Sequence, residues 1–288
     1  MSAIATARGL TKRFGDTRAL DNVDFTIERG RIVGLVGPNG AGKTTALRAL
    51  LGLTDYEGEL DVLGCAPNRE RARLMERACF IADISVLPRW LKVRDAIDFM
   101  AGTHPHFSRE RAHEFLERTS VRIDHKVKQL SKGMVAQLHL ALVMAIDAEF
   151  LVLDEPTLGL DLLYRKKFYE TLLNDYFDEE RTILVTTHQF EEVERILTDV
   201  MFLQDGRIVL DASIDDLSQR FVEVLVPPDR AEAARKLGAL YERQVFGKTL
   251  FLYEGREREQ LEELGEIHTP SVSDIFVAKM SSPKELAA

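Results

Sequence analysis

The chain has 288 residues, 45% of them hydrophobic, which is enough to bury one large core and a smaller second one. Its 38 basic and 47 acidic residues leave a formal charge of −9, which repels phosphate backbones and argues against nucleic acid as a partner. Cys65 and Cys79 are too few for a disulfide framework and lack metal-type spacing, so both are expected as free thiols in a reducing compartment.

The amino terminus, 1–9, lacks the apolar core of a leader, and no stretch approaches the roughly 18 apolar residues that cross a bilayer. If the protein works at a membrane, another chain is expected to do the crossing. Val23, Phe25 and Ile27 alternate with polar residues as a half-buried strand does, and Glu28-Arg29-Gly30 turns into a strand at 31–36 whose residues 32–36 are nearly continuously apolar. That run suits a central parallel strand covered on both faces. It leads directly into Gly37-Pro38-Asn39-Gly40-Ala41-Gly42-Lys43-Thr44 and a helix expected over about 44–51.

The octapeptide fits G-x-x-x-x-G-K-[ST]. Its glycines let backbone N–H groups turn inward around phosphates, Lys43 reaches the β and γ phosphates, and Thr44 offers a hydroxyl to Mg2+. A charged, helix-forming insert follows from about 84 to 130, punctuated by Pro88, Pro105 and Ser108. Its far end delivers Leu130-Ser131-Lys132-Gly133-Met134, a second small polar loop that opens a helix and presents N–H groups to an anion. The apolar stretch 138–146 is too short to span a membrane and reads as a buried helix.

A buried strand at 150–153 ends in Asp154 and Glu155. Asp154 is placed to hold Mg2+, directly or through its shell, and Glu155 to orient or deprotonate a water; the bland reading is a pair of acids at a strand end. A third parallel strand at 182–187 is followed by His188, an imidazole where the ligands of α/β sheets collect. Asp205-Gly206 between two apolar runs marks a hairpin. After about 217 the pattern becomes β-α-β-β-α-β, with strands at 221–226, 241–246, 250–253 and 266–268, helices at 229–237 and 256–264, and a closing helix at about 273–280. Two aromatics stay open to either of two readings. Phe14 either stacks on a base or belongs to the core, and Trp90, the single tryptophan, either anchors an interface or packs inside the helical insert.

In this order the motifs resemble the nucleotide-binding subunit of an ATP-binding cassette (ABC) transporter, over residues 1 to about 215. The resemblance implies an α/β P-loop NTPase core with an antiparallel β subdomain and an inserted helical subdomain at about 84–135. Together with the β-α-β-β-α-β order after about 217, which matches a small ferredoxin-like unit, it divides the chain into an ATPase domain, 1–216, and an α+β accessory domain, 217–288. It makes Phe14 the adenine-stacking aromatic and Gly37, Asn39, Gly40, Ala41, Gly42, Lys43, Thr44 and Thr45 the Walker A cradle. Ser131 and Gly133 become the signature, Asp154 and Glu155 the Walker B pair, Asp161 the end of the D-loop and His188 the switch histidine.

Lys43, Glu155 and His188 are then the catalytic groups, Thr44, Asp83 and Asp154 the Mg2+ ligands, and ATP the substrate. Two copies of the chain are expected to meet head to tail, so that Ser131 and Gly133 of one face the ATP of the other. ATP-driven closure of that dimer would drive a separate transmembrane permease from the cytoplasmic face of the membrane. The closing residues Ser273-Asp274-Ile275-Phe276-Val277-Ala278 resemble tails of the export-type branch that handles drugs, peptides and polysaccharides. The sequence departs from the family pattern at Asp83, which stands where a glutamine is usual, and at Lys132 and Met134 in the signature. The competing function is a soluble regulatory ATPase of the same family without a permease.

Overall fold

The computed structural model describes residues 2–81, 87–158, 160–187 and 193–280. They form two compact units, one of Met1–Leu197 with Leu203–Ile208, the other of Thr198–Phe202 with Val209–Ala288. Asp83 and His188 lie outside the described residues.

The first unit begins with an antiparallel sheet. Strands β1 (Ala3–Phe14) and β2 (Thr17–Glu28) pair with each other, and β1 also pairs with β4 (Glu57–Val62), giving the order β2-β1-β4. In β2, Val23, Phe25 and Ile27 are buried and their neighbours are not, as the period of two requires. The ladder between β1 and β2 has several register shifts, one between Ala7 and Leu10 where Gly9 sits at φ +60°. Those shifts break the alternation of β1, so its sequence carries no clean strand signal.

Within the parallel sheet, β5 (Ala78–Ile81), β6 (Phe150–Asp154), β7 (Thr182–Thr187) and β3 (Ile32–Val36) run in the order β5-β6-β7-β3. Every residue of β3 and β7 is buried, which explains their uninterrupted apolar and Thr composition. Register brings Asp154 opposite Thr186 and Val36 opposite Thr187, so the carboxy-terminal ends of three strands open side by side. Helix α1 (Lys43–Leu50) starts there, after the glycine loop.

The opposite end of this sheet is tied by charge. Glu149, just before β6, accepts from Arg29 Nη1 at 2.7 Å and from Arg77 Nη2 at 3.0 Å. Arg77 lies just before β5 and Arg29 just before β3, so one carboxylate joins the entry points of three strands. Arg181, at the entry to β7, binds Asp147 and Asp178 at 2.6 Å each.

The helical insert is built from α3 (Val93–Thr103), α4 (Arg109–Glu117) and α5 (Lys132–Met144), with a short α2 (Arg71–Met75) ahead of it. Val93, Ala96 and Ile97 of α3, Ala112 and Leu116 of α4, and Leu138, Ala141 and Leu142 of α5 share one core. Ser108 caps α4 by accepting from Arg111 N at 3.2 Å. Helix α6 (Leu162–Thr171) ends in a π turn, Leu172–Tyr176, that the sequence did not announce.

Residues of strands β8 (Asp199–Gln204) and β9 (Arg207–Ser213) belong partly to each unit. Asp205 at φ +48° and Gly206 at φ +75° make the hairpin turn expected between them. In the second unit, β10 (Phe221–Val226), β11 (Tyr241–Val245), β12 (Lys248–Glu254) and β13 (Glu266–His268) form an antiparallel sheet of order β11-β12-β10-β13. Its helices alternate with the strands in the expected β-α-β-β-α-β order but are shorter than the sequence suggests. The first is a 3-10 turn, Pro228–Arg230, running into Ala231–Lys236, and the second covers only Arg258–Glu262. The second starts late because Gly255 is left-handed at φ +63° and Glu257 is extended. Val222, Val224, Val226, Phe251, Tyr253 and Leu261 form this unit's core.

Candidate functional site

The glycine loop is held open by its surroundings. A Cβ on Gly37 would lie 2.2 Å from the Leu203 carbonyl oxygen, and one on Gly42, at φ +110°, 2.2 Å from that of Ala19. Only glycine fits either position. Gly42 is the N-cap of α1, and no side chain caps that terminus. The N–H groups of the first turn, together with the positive end of the helix dipole, therefore remain directed at the loop, which is the arrangement that binds phosphate.

Lys43 is buried and folds back over the loop, donating from Nζ to the carbonyl oxygens of Gly37 at 2.7 Å and Pro38 at 3.2 Å. Burial lowers the pKa of its ammonium, while the negative charges of Glu155 and Asp154 oppose that shift. The sheet thus brings Lys43, Asp154 and Glu155 into one electrostatic neighbourhood. Thr44, Asn39 and Gly40 are exposed, Thr45 is half-buried and Ala41 is buried.

Asp154 and Glu155 are organised by a residue that the sequence reading passed over. Thr186 Oγ1 donates to Asp154 Oδ1 at 2.7 Å and accepts from Glu155 N at 3.2 Å. The Glu155 N–H also reaches the Thr186 carbonyl oxygen at 3.2 Å. Glu155 is left-handed at φ +50°, a conformation costing a non-glycine residue about 1 to 2 kcal/mol. Strain of that size persists only where surrounding bonds fix it, and Thr186 supplies them. The signal in the sequence was a polar residue at a buried position near the end of an apolar strand.

The donor set offers hydroxyl and carboxylate oxygens, the hard ligands that suit Mg2+, in Thr44 and Asp154. Among the described residues no group of three or more His, Cys, Asp or Glu side chains could hold a metal by itself.

The remaining candidates fall in three places. Phe14 is 54% exposed at the end of β1, which removes the core reading, and Lys12 Nζ lies 5.0 Å from its ring centroid. Ser131 caps α5 by accepting from Met134 N at 3.2 Å, Lys132 is exposed and Gly133 is buried. Asp161 caps α6 by accepting from Tyr164 N at 3.1 Å. Trp90 is 72% exposed, so it does not pack inside the helical insert, and Phe99 on α3 is 66% exposed. Cys65 and Cys79 are free and buried, and burial pushes the Cys79 thiol up to about 12. No helix among the described residues is long and apolar enough to cross a membrane.

Comparison with known proteins places these features in a group. The ABC transporter family matches residues 20–158. Two curated relatives are both called Nod factor export ATP-binding protein I. That from Burkholderia lata is 33% identical over 258 residues, covering 85% of this chain and 84% of the relative. That from Cupriavidus metallidurans is 34% identical over 264 residues, covering 88% and 87%. Among solved structures, an ATP-binding subunit of an ABC transporter superposes with a TM-score of 0.68 at 24% identity, over 75% of this chain and 92% of that one. A dimeric ATP-binding cassette in a post-hydrolysis state, bound to ADP and Pi, gives 0.61 at 22% identity, over 73% and 98%.

Proposed function

Because the chain belongs to the ABC transporter family as an ATP-binding subunit, and is an ATPase, we propose that it powers export through a separate permease by closing on a second copy of itself. The observation that carries the nucleotide site is the uncapped start of α1 behind a loop where only glycine fits, with Lys43 folded over it and Glu155 nearby. Lys43 would exchange its carbonyl partners for the β and γ phosphates of ATP. That exchange is favourable because the desolvated ammonium gains charged acceptors.

Thr44, Asp154 and Asp83 would hold Mg2+, which when bound neutralises phosphate charge. The Glu155 carboxylate would accept a proton from the attacking water as its oxygen bonds to the γ phosphorus, the bond to the β-phosphate oxygen breaks and ADP leaves. His188 would contact the γ phosphate, and Phe14 would stack on adenine.

Each chain's Ser131, Gly133 and Asp161 would serve the nucleotide on the partner copy. Ser131 is exposed at the start of α5, where the positive end of the helix dipole favours an anion. We assign residues 1–216 to the ATPase, with a helical subdomain at about 84–135, and 217–288 to an accessory domain. Exposed Trp90 and Phe99 offer aromatic surface to the permease, which would hold the subunit on the cytoplasmic face. Export is supported by the names of the curated relatives.

The test is trapping. Glu155→Gln should bind ATP, accumulate as a nucleotide-bound dimer on size exclusion and release phosphate at least about a hundredfold more slowly than wild type, the low end of general-base effects. Adding Ser131→Arg should spare ATP binding but prevent the dimer. Normal turnover in the first variant, or an ATP dimer in the second, would overturn the assignment, and failure to co-purify with any membrane chain would favour the permease-free alternative.

A further inference from the structure

The start of the signature helix and the start of α6 touch within one chain, through a glycine and a tyrosine. A Cβ built on Gly133 would meet ring carbons Cε2, Cδ2 and Cζ of Tyr164 at 2.9, 3.0 and 3.0 Å. The Tyr164 ring therefore lies against the Gly133 backbone, where a Cβ would push it aside. Beside it, buried Leu160 packs on Ala136, with Val135 and Tyr164 completing a small cluster. Behind the contact lies an apolar cavity of about 90 Å3 lined by Gly133, Ala136, Gln137, Tyr164 and Phe168 among others.

Tyr164 is also linked through short turns to the backbone of Glu155. Its N–H is bonded by Asp161, and Arg165 Nε donates to the Leu160 carbonyl oxygen at 2.7 Å. Leu160 N reaches the Thr157 carbonyl at 3.1 Å, and Leu158 N reaches the Glu155 carbonyl at 3.1 Å. Thr157 Oγ1 lies 3.2 Å from the Tyr169 hydroxyl, pinning the same turn to α6. The backbone bonds from Leu158 to Glu155 and from Leu160 to Thr157, with the Asp161 cap, lie between Glu155 and Tyr164.

We propose that Tyr164 is a positioning residue that couples the two nucleotide sites of the dimer through one chain. When the partner's γ phosphate seats on Ser131 and Gly133, the ring of Tyr164 transmits the position of that loop to the turn carrying the chain's own Glu155. The proposal rests on the ATP-sandwich reading above. It needs the ring face and not the hydroxyl, because the contacts with Gly133 are to ring carbons.

The experiment is a double-mutant cycle in the full chain with Tyr164→Phe, Tyr164→Ala, Gly133→Ala and the double Ala variant. Steady-state hydrolysis against ATP concentration is read beside binding of a fluorescent ATP analogue and thermal melting. Tyr164→Phe should match wild type. Tyr164→Ala should lower kcat about tenfold and bring the Hill coefficient towards one, with nucleotide affinity unchanged, a coupling of the size touching residues show. Gly133→Ala displaces the same ring, so the double variant should be no worse than the poorer single one. Losses that multiply, a Phe variant as poor as the Ala variant, or a Hill coefficient unmoved by Tyr164→Ala would overturn the proposal. If Ser131→Arg still forms the ATP dimer, the sandwich reading has failed; if it does not and the cycle is additive, only the Tyr164 coupling has.

Discussion

At the amino-terminal end of the parallel sheet, Glu149 binds Arg29 and Arg77, and Arg181 binds Asp147 and Asp178, so charge is matched where strands β3, β5, β6 and β7 begin. At the carboxy-terminal end, Lys43 is buried against carbonyl oxygens, Glu155 is left-handed and the start of α1 has no side-chain cap. The same strands thus carry satisfied groups at one end and frustrated ones at the other. A site that receives an anionic substrate keeps its buried ammonium on neutral carbonyl oxygens and its helix start without a side-chain cap until the substrate arrives, and the matched end supplies the stability that tolerates this. Function and stability should therefore separate by substitution at the two ends.

The largest effect is expected from Lys43→Ala. It removes a charged donor to the phosphates, worth about 1.5 to 3 kcal/mol, so ATP should bind about tenfold to a hundredfold more weakly and hydrolysis should fall further. The melting temperature of the nucleotide-free chain should hold or rise, because a desolvated ammonium has been deleted from a buried position. Binding titrations and thermal scans on one preparation decide the matter. A drop in melting temperature with ATP affinity intact would reverse the roles assigned to the two ends.

Thr186→Val sharpens the comparison at the boundary between strand and site. The substitution keeps shape and burial but removes the donor to Asp154 Oδ1 and one acceptor for Glu155 N. Hydrolysis should fall about tenfold, as losses of supporting bonds around a metal or catalytic group usually do, while ATP binding changes little. Rescue by Thr186→Ser would show that the hydroxyl acts and not the packing. Loss of ATP binding in parallel with turnover would mean that Thr186 holds the loop together instead.

How much of this was legible in the sequence follows from how local each feature is. The cradle, the apolar strands before it and the carboxylates after β6 are written in contiguous residues whose types leave few alternatives, and their elements lie within a residue or two of expectation. Strand β1 was not legible because its register shifts hide the alternation. The second-unit helices came out shorter because positive φ at Gly255 is paid in backbone geometry that helix-forming neighbours do not reveal. Thr186 and Tyr164 were missed for a different reason. Their partners, Asp154 and Gly133, are 32 and 31 residues away, so a polar residue near the end of an apolar strand was visible but not the group it braces, and nothing local marks a tyrosine as the lid on a glycine. The exposure of Phe14 and Trp90, which sequence left open, needed the fold itself.

The smallest effect belongs to the matched end. Hydrogen bonds from Arg77, with further help from Arg29 and against the opposing effect of burial, hold the Glu149 carboxyl down from an ordinary 4.5 to about 2. A depressed carboxylate contributes stability that is present above its unfolded pKa and lost as pH falls through the folded one. The contribution of Glu149 should thus be full near neutrality and fade between 4.5 and about 2. Its side chain is 35% exposed, so solvent screening limits the effect of Glu149→Gln to about 1 kcal/mol, or about 2 to 4 °C in melting temperature at neutral pH. The gap between wild type and variant should narrow as thermal scans are taken to lower pH, while turnover at 25 °C and neutral pH stays that of wild type. A gap that is constant with pH would show that the carboxylate stabilises by shape and not by charge. A loss of turnover without a loss of stability would mean that the two ends of the sheet are not energetically separate.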